Sequence, residues 1–102
     1  MLYGLSDRTI SDLQAVFREQ KNIQRVLIFG SRAKGNYKPG SDIDLALIGD
    51  GITLKQRNDI LNRIDDMGIL YKIDLLDYKK KADTPIGEHI NRVGQVFYSA
   101  KT

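Results

Sequence analysis

The stretch GSRAKGNYKPGSDID, residues 30–44, decides how the rest of the chain is arranged. An apolar run, RVLIF over residues 25–29, precedes it and is typical of a buried β-strand. The stretch closes on Asp42 and Asp44, where DIDLALI, residues 42–48, alternates acidic and apolar positions as a second strand does. Residues two apart in a strand point to the same face, so we expect both carboxylates on one face, about 6.6 Å apart along the strand.

Two features of this stretch indicate nucleotide chemistry. Two carboxylates held this close repel each other, and a cation between them removes the repulsion; hard oxygen ligands beside phosphate are typical of Mg²⁺ or Mn²⁺ sites. Gly30 and Ser31 lie where the first strand ends and a short helical turn begins, and Arg32 and Lys34 add positive charge there. Glycine lets the backbone approach an anion, and the free amides of a helix start point outward. The stretch therefore combines a predicted phosphate site with a predicted metal site.

The chain resembles the polymerase-beta-like nucleotidyltransferases through the pattern GS-x10-D-x-D, which Gly30, Ser31, Asp42 and Asp44 match. It is similar to the smallest members, the minimal nucleotidyltransferases, which commonly work with a helical partner of the HEPN or substrate-binding type. The resemblance covers nearly the whole chain.

The resemblance extends to YKIDLL, residues 71–76, where the family places a third carboxylate, here Asp74. One departure is Lys34, a position where arginine is common in such members. Lysine keeps the positive charge but lacks the two-pronged donor geometry of arginine, which bears on the detail of phosphate contact.

The resemblance implies an enzyme that transfers a nucleoside monophosphate from ATP or another NTP to an acceptor hydroxyl, with AMP as the expected group and pyrophosphate as the product. It also implies two Mg²⁺ ions as cofactors. The implied site consists of the catalytic and metal-binding carboxylates Asp42, Asp44 and Asp74 and the nucleotide-binding residues Gly30, Ser31 and Arg32.

The same resemblance implies a helical HEPN or substrate-binding partner encoded nearby. In the toxin–antitoxin version the catalytic chain adenylylates the toxin, and this chain would then be the antitoxin. Two alternatives stay open: transfer of a nucleotide to a small molecule, such as an antibiotic, held by a partner subunit, and a non-catalytic module that binds nucleotide and neutralises its partner by contact. The sequence identifies neither the acceptor nor the preferred base.

Length and composition narrow the class of protein. The 102 residues fit one domain, residues 1–102, with a modest core. The formal net charge is +3 and scattered, which does not favour nucleic acid as the main partner. The absence of cysteine excludes disulfides and thiolate metal sites. No leader and no apolar run long enough to span a bilayer is visible, so we expect a cytoplasmic protein that does not enter the membrane.

The remaining pattern predicts three more helices and a third strand. The first is a helix over residues 5–17 with Ser6 as N-cap, and the second is a helix that begins with Thr53 and Gln56 as a capping box and ends at Gly68. A strand over residues 71–78 follows. The last helix starts at Asp83 or Thr84 and has Lys101 near its end, and its apolar face consists of Ile86, Ile90, Val93, Val96 and Phe97. With the turn after the first strand, the predicted α/β order is αβαβαβα, a mixed sheet covered by helices.

Three other features are predicted to be structural. His89 is the only histidine, and no partner residue for it as a general base is visible in the sequence. Asp77 falls on the opposite strand face from Asp74 and is predicted to be a strand-end or turn residue. The lysine run at residues 79–81 is predicted to be a solvated loop.

Overall fold

The computed structural model describes residues 2–100, and Lys101 lies outside the described part. Four strands form one sheet in the order β3-β2-β1-β4. The strands are β1 (Ile23–Phe29), β2 (Ile43–Gly49), β3 (Ile73–Asp77) and β4 (Gln95–Ser99). The helices are α1 (Asp7–Arg18), α2 (Gly30–Lys34), α3 (Leu54–Asp66), α4 (Tyr78–Lys81) and α5 (Pro85–Val93), preceded by a 3-10 turn at Leu2–Gly4.

The sheet is mixed, as predicted. Strand β1 pairs antiparallel with both β2 and β4, whereas β2 and β3 are parallel. A parallel pair needs a crossover connection, and α3 supplies it. The α/β class predicted from the sequence is confirmed.

Each of the three long helices begins with a side-chain cap at a predicted residue. The hydroxyl of Ser6 accepts from the Thr9 amide at 3.1 Å, and that of Thr84 accepts from the Gly87 amide at 3.3 Å. Thr84, not Asp83, is therefore the cap of α5.

Only half of the capping box predicted for α3 is present. The Gln56 amide donates to the Thr53 hydroxyl at 3.1 Å. The Gln56 side chain, however, donates to Asn22 Oδ1 at 2.7 Å and to Gln20 Oε1 at 2.9 Å. The carboxamide joins α3 to the turn before β1, because partners distant in sequence lie within its reach. At the other end of α3, Gly68 adopts φ +75° and ends the helix as predicted.

The prediction for the C-terminal segment was wrong in one respect. Helix α5 ends at Val93, and Val96 and Phe97 belong to β4, which pairs with β1. Their spacing fits a helical face, but Phe97 is buried in the core while Val96 is 53% exposed. A short apolar run does not distinguish strand from helix, and here pairing with β1 decides the outcome. The predicted order therefore lacked a final strand.

The third strand is shorter than predicted. It covers Ile73–Asp77, and Tyr78–Lys81 forms a helical turn instead of the predicted loop. Asp77 ends the strand as predicted, since its carboxylate accepts from the Lys79 amide at 3.2 Å and caps α4.

Alternation in β2 separates the two faces of the sheet. Ile43, Leu45 and Leu47 are fully buried in the larger core, which includes apolar residues of α1 and α3. Ala46 faces the other way, into a smaller cluster with Ile90 of α5. Position 44 shares the face of Ala46, so the acidic side chain of β2 lies opposite the main core.

Residues 2–100 contain no helix that is both long enough and apolar enough to cross a membrane.

The main core gives a prediction for stability. Phe17 of α1 is fully buried, and its truncation leaves a cavity that the packed interior fills only in part. We expect Phe17→Ala to lower the free energy of unfolding by about 3 to 5 kcal/mol in urea denaturation. Leu70→Ala is the control, because Leu70 is 97% exposed. Equal effects of the two changes would contradict the assigned core.

Candidate active site

The predicted acidic residues come together at one end of the sheet. Phe29, the last residue of β1, pairs with Asp44 of β2, and Asp44 pairs with Asp74 of β3 in the parallel register. Neighbouring strands lie about 4.8 Å apart, and paired residues of parallel strands point to the same face. The fold therefore brings the carboxylates of Asp44 and Asp74 side by side.

The electrostatics of Asp44 reflect this crowding. Its pKa is raised from 3.8 to about 6, first by burial of the carboxyl, then by the charge of Asp74 and a hydrogen bond between these two carboxyls, and last by the charge of Asp42. Burial and like charges both disfavour the ionised form. The charges of Asp74 and Asp42 thus both act on Asp44, with Asp74 the stronger neighbour.

Gly30 is the residue that lets Asp44 approach the start of α2. A β-carbon at position 30 would lie 2.3 Å from Asp44 Oδ2, which is closer than any side chain tolerates. Gly30 also adopts φ +71°, a conformation that side chains rarely adopt. The glycine thus places the backbone of the predicted phosphate-binding turn directly against an acidic side chain.

The three carboxylates differ in position and exposure. Asp42 is half-buried and lies just before β2, whereas the sequence predicted it as the first residue of the strand. Asp44 is half-buried within the strand, and Asp74 is exposed on β3. Because β3 lies at the edge of the sheet, the Asp74 side of the site is open to an approaching molecule.

The donor set suits a divalent cation whose other ligands come from outside the chain. Within residues 2–100, no three His, Cys, Asp or Glu side chains converge closely enough to hold a metal ion by themselves. The mutual repulsion that raises the Asp44 pKa is what a hard cation relieves, and Mg²⁺ typically takes one or two carboxylates together with phosphate and water oxygens. The carboxylates present are therefore consistent with an ion that arrives with a nucleotide.

The side chain of Arg32, which the resemblance places at the nucleotide, is buried in the fold. Its side chain is only 2% exposed, and its guanidinium donates to backbone carbonyls of the loop that leads to β2 and of the N-terminal turn. Gly30 and Ser31 at the start of α2 are half-buried. The geometry supports the placement of Gly30 beside the acidic residues but gives no support to a phosphate contact by Arg32.

His89 is closer to the site than its sequence position indicated. Its ring contacts the ring of Phe29 edge-on, with the centroids 6.1 Å apart, and Phe29 directly precedes Gly30. This packing agrees with the structural role predicted for the histidine.

Tyr3 and Tyr71 were missed by sequence reasoning. Both contact Arg32, the first through its carbonyl and the second through its ring. Their distance along the chain left no local signal for these contacts.

Comparison with known proteins now identifies the family. The family model described as Polymerase beta, Nucleotidyltransferase matches residues 11–102. The chain belongs to this nucleotidyltransferase family. The family and the enzyme class predicted from GS-x10-D-x-D are thereby confirmed.

Individual relatives agree with this assignment. The chain is 29% identical over 86 residues to a protein of Methanocaldococcus jannaschii named "Putative protein adenylyltransferase", covering 81% of this chain and 85% of the relative. A solved toxin–antitoxin structure with AMP-PNP matches with a TM-score of 0.72 at 20% identity, covering 95% of this chain and 76% of the other. A structure of tri-AMPylated Shewanella oneidensis HEPN toxin in complex with MNT antitoxin matches with a TM-score of 0.69 at 16% identity, covering 94% and 74%. At these identities the two structures establish a shared fold.

The contact between Gly30 and Asp44 gives a prediction. We expect Gly30→Ala to lower the free energy of unfolding by at least about 2 kcal/mol, because the methyl group meets Asp44 and the backbone is strained. Urea denaturation measures the change. Gly40→Ala is the matched control, since a β-carbon there has no neighbour within 4 Å among residues 2–100 and the backbone does not have a positive φ. Similar losses in both variants would contradict the close approach.

The raised pKa of Asp44 gives a second prediction. Its folded-state value of about 6 exceeds the ordinary 3.8, so its contribution to stability is fully present below about pH 3.8 and is lost as the pH rises through about 6. Without metal, Asp44→Asn should therefore be more stable than the wild type at pH 8, and the advantage should shrink towards pH 4. Thermal unfolding in EDTA measures it, with the exposed Asp83→Asn as control for the removal of a negative charge. An advantage that is constant with pH would contradict the assignment.

Proposed function

We propose that this chain is a magnesium-dependent nucleotidyltransferase that transfers AMP from ATP to a hydroxyl group of a helical, HEPN-type partner protein and acts as the antitoxin of a toxin–antitoxin pair. The observation that carries the proposal is the convergence of Gly30, Asp44 and Asp74 at one end of the sheet in a chain of this enzyme family. In this proposal residues 1–102 form one catalytic domain that works in the cytoplasm, where ATP and Mg²⁺ are available.

Each site residue has a defined task in the proposed reaction. Gly30 and Ser31 would bind the triphosphate through backbone amides and a hydroxyl at the start of α2, a turn that glycine allows to lie against the Asp44 carboxylate. Asp42, Asp44 and Asp74 would hold two Mg²⁺ ions. When bound, Mg²⁺ neutralises charge on the phosphates and lowers the pKa of the attacking hydroxyl. Between substrates, the crowded carboxylates keep the site ready for a cation because their repulsion is otherwise unrelieved.

The proposed chemistry is an in-line substitution at the α-phosphorus of ATP. The acceptor oxygen forms a bond to the α-phosphorus, and the bond from that phosphorus to the bridging oxygen of the β-phosphate breaks. Pyrophosphate leaves with the bond electrons, and the acceptor hydroxyl gives up its proton. Asp74, exposed on β3, would accept this proton from the side on which the acceptor approaches.

The open side of the site favours an acceptor on another molecule. Asp74 lies on an edge strand and is exposed, so a partner is able to reach it without any rearrangement of the core. The M. jannaschii relative is named for protein adenylylation, and a structural neighbour contains an AMPylated HEPN toxin. These names support a protein acceptor for this chain over a small molecule.

A transfer assay tests the proposal. The purified chain is incubated with Mg²⁺ and ATP labelled on the α-phosphate, with and without the product of the adjacent gene. We expect label on the partner, and in Asp42→Asn and Asp44→Asn variants a rate lower by about a hundredfold or more, because bound metal contributes several kcal/mol of transition-state stabilisation. Asp65→Asn, an exposed residue of α3, is the matched control and should transfer at the wild-type rate.

Other outcomes distinguish the alternatives. Label on a small molecule without a protein partner would support the second enzyme role that the sequence left open. Neutralisation of the partner by Asp42→Asn, Asp44→Asn protein at full strength would support a module that acts by contact alone. EDTA should abolish transfer, and transfer that survives metal removal would contradict the role proposed for the carboxylates.

A further inference from the structure

The side chain of Arg32 is a buried positive charge. Its side chain is 2% exposed, and within residues 2–100 it forms no salt bridge; the ion pairs found there involve other residues. Burying a charge is costly unless dense hydrogen bonding or another electrostatic contact offsets the loss of water. The surroundings of Arg32 supply both.

The guanidinium is bound by backbone carbonyls. Nε and Nη2 donate to the Ser41 carbonyl at 3.1 and 2.9 Å, Nη2 also donates to the Pro39 carbonyl at 3.2 Å, and Nη1 donates to the Tyr3 carbonyl at 2.9 Å. The Ser41 contact is a fork of two donors on one oxygen. That carbonyl belongs to the peptide bond that joins Ser41 to Asp42, so the guanidinium fixes the chain at the residue before the first acidic position.

Two aromatic rings complete the surroundings. The guanidinium carbon lies 4.8 Å from the ring centroid of Tyr71 and 5.3 Å from that of Tyr37, within the range of favourable cation–π contacts. Tyr71 immediately precedes the segment that enters β3, which carries Asp74. One side chain therefore joins the approaches to two of the strands that bear predicted site residues.

The N-terminal turn, Leu2–Gly4, also contacts the guanidinium of Arg32. Tyr3 adopts φ +58°, an uncommon conformation for a residue other than glycine, and its carbonyl accepts from Arg32. A β-carbon at Gly4 would lie 2.3 Å from the ring of Tyr37, so this glycine allows the ring to close over the turn. Strained backbone persists where the surrounding contacts hold it, and here those contacts converge on Arg32.

We infer that Arg32 is a positioning residue that holds the loop at residues 36–41 and, through the Ser41 carbonyl, sets the position of Asp42. Arginine is required because lysine has no planar fork to give two donors to one oxygen. The role in metal binding and transfer rests on the proposed function, whereas the role in holding the loop does not. The phosphate contact predicted from the sequence is the competing assignment.

The two assignments differ in the protein without ligands. Lys38 and Ser41 hold the loop through a Lys38 amide that donates to the Ser41 hydroxyl at 2.9 Å and a Ser41 amide that donates to the Lys38 carbonyl at 3.0 Å. If Arg32 anchors the loop, its replacement loosens these bonds before any nucleotide arrives. If Arg32 binds phosphate, the free protein is unaffected and only nucleotide affinity falls.

Amide hydrogen exchange without metal and nucleotide tests the inference. We expect Arg32→Lys to accelerate exchange in residues 36–41 by about tenfold, since loop opening becomes easier. Lys34→Gln is the matched control, because Lys34 is an exposed cation of the same short helix and should leave loop exchange unchanged. Wild-type exchange in Arg32→Lys, together with weaker binding of ATP, would overturn the inference in favour of a phosphate ligand.

A metal titration adds a measurement that loss of stability alone would not change. If Arg32 sets Asp42, the Mg²⁺ concentration at half of the maximal thermal shift should rise about tenfold in Arg32→Lys, as with other residues that orient metal ligands. Phe17→Ala, which weakens the core far from this contact, should lower the unfolding temperature without changing the half-maximal Mg²⁺ concentration. A midpoint that moves equally in both variants would overturn the positioning role.

A second variant pair covers the case in which Arg32→Lys does not fold. Tyr71→Ala removes one face of the cation–π contact while Arg32 remains, and Tyr71→Phe keeps the ring. Faster loop exchange in Tyr71→Ala but not in Tyr71→Phe supports the inference, and equal exchange in both overturns it. None of these measurements depends on the transfer reaction, so a failure of the proposed function can be distinguished from a failure of this inference.

Discussion

Repulsion between Asp44 and Asp74 is the constraint on which the site depends. The parallel pairing of β2 with β3 places the two carboxylates side by side, and burial of Asp44 raises its pKa to about 6. Such crowding of ionised carboxylates lowers stability, and packing elsewhere in the sheet has to offset the loss. The opposite face of β2 provides this, because Ile43, Leu45 and Leu47 are fully buried under α1 and α3. One strand thus anchors the core on one face and concentrates negative charge on the other.

Gly30 and Arg32 give the short helix α2 two different contacts with the rest of the fold. Gly30 lets the start of α2 approach Asp44, where any β-carbon would collide with the carboxylate. Arg32, two residues later, turns into the protein and binds three backbone carbonyls. In α2, therefore, the backbone at Gly30 lies against an acidic side chain, and the buried side chain of Arg32 holds the loop. Its five residues serve both purposes because successive side chains of a helix point in different directions.

The predictions that succeeded and those that failed differ in how far apart along the sequence the interacting residues lie. The caps at Ser6 and Thr84 depend on neighbours within three residues, and both were predicted. The strand that contains Phe97 was missed because its local pattern also fits a helix and pairing with β1 decided between them. Likewise, the Gln56 side chain met Asn22, a partner far along the chain, instead of closing its capping box.

The sequence by itself determined the family and the α/β class and predicted the acidic site residues, because spacing, alternation and the GS-x10-D-x-D pattern are local properties of the chain. The tertiary structure alone showed the parallel register that pairs Asp44 with the predicted third carboxylate Asp74, the contact of Gly30 with the Asp44 carboxylate, and the burial of Arg32 among carbonyls and tyrosine rings. These outcomes depend on strand register and on the packing of segments distant in sequence. A charged residue beside a glycine-serine turn carries no local sign of whether its side chain points towards a ligand or into the fold.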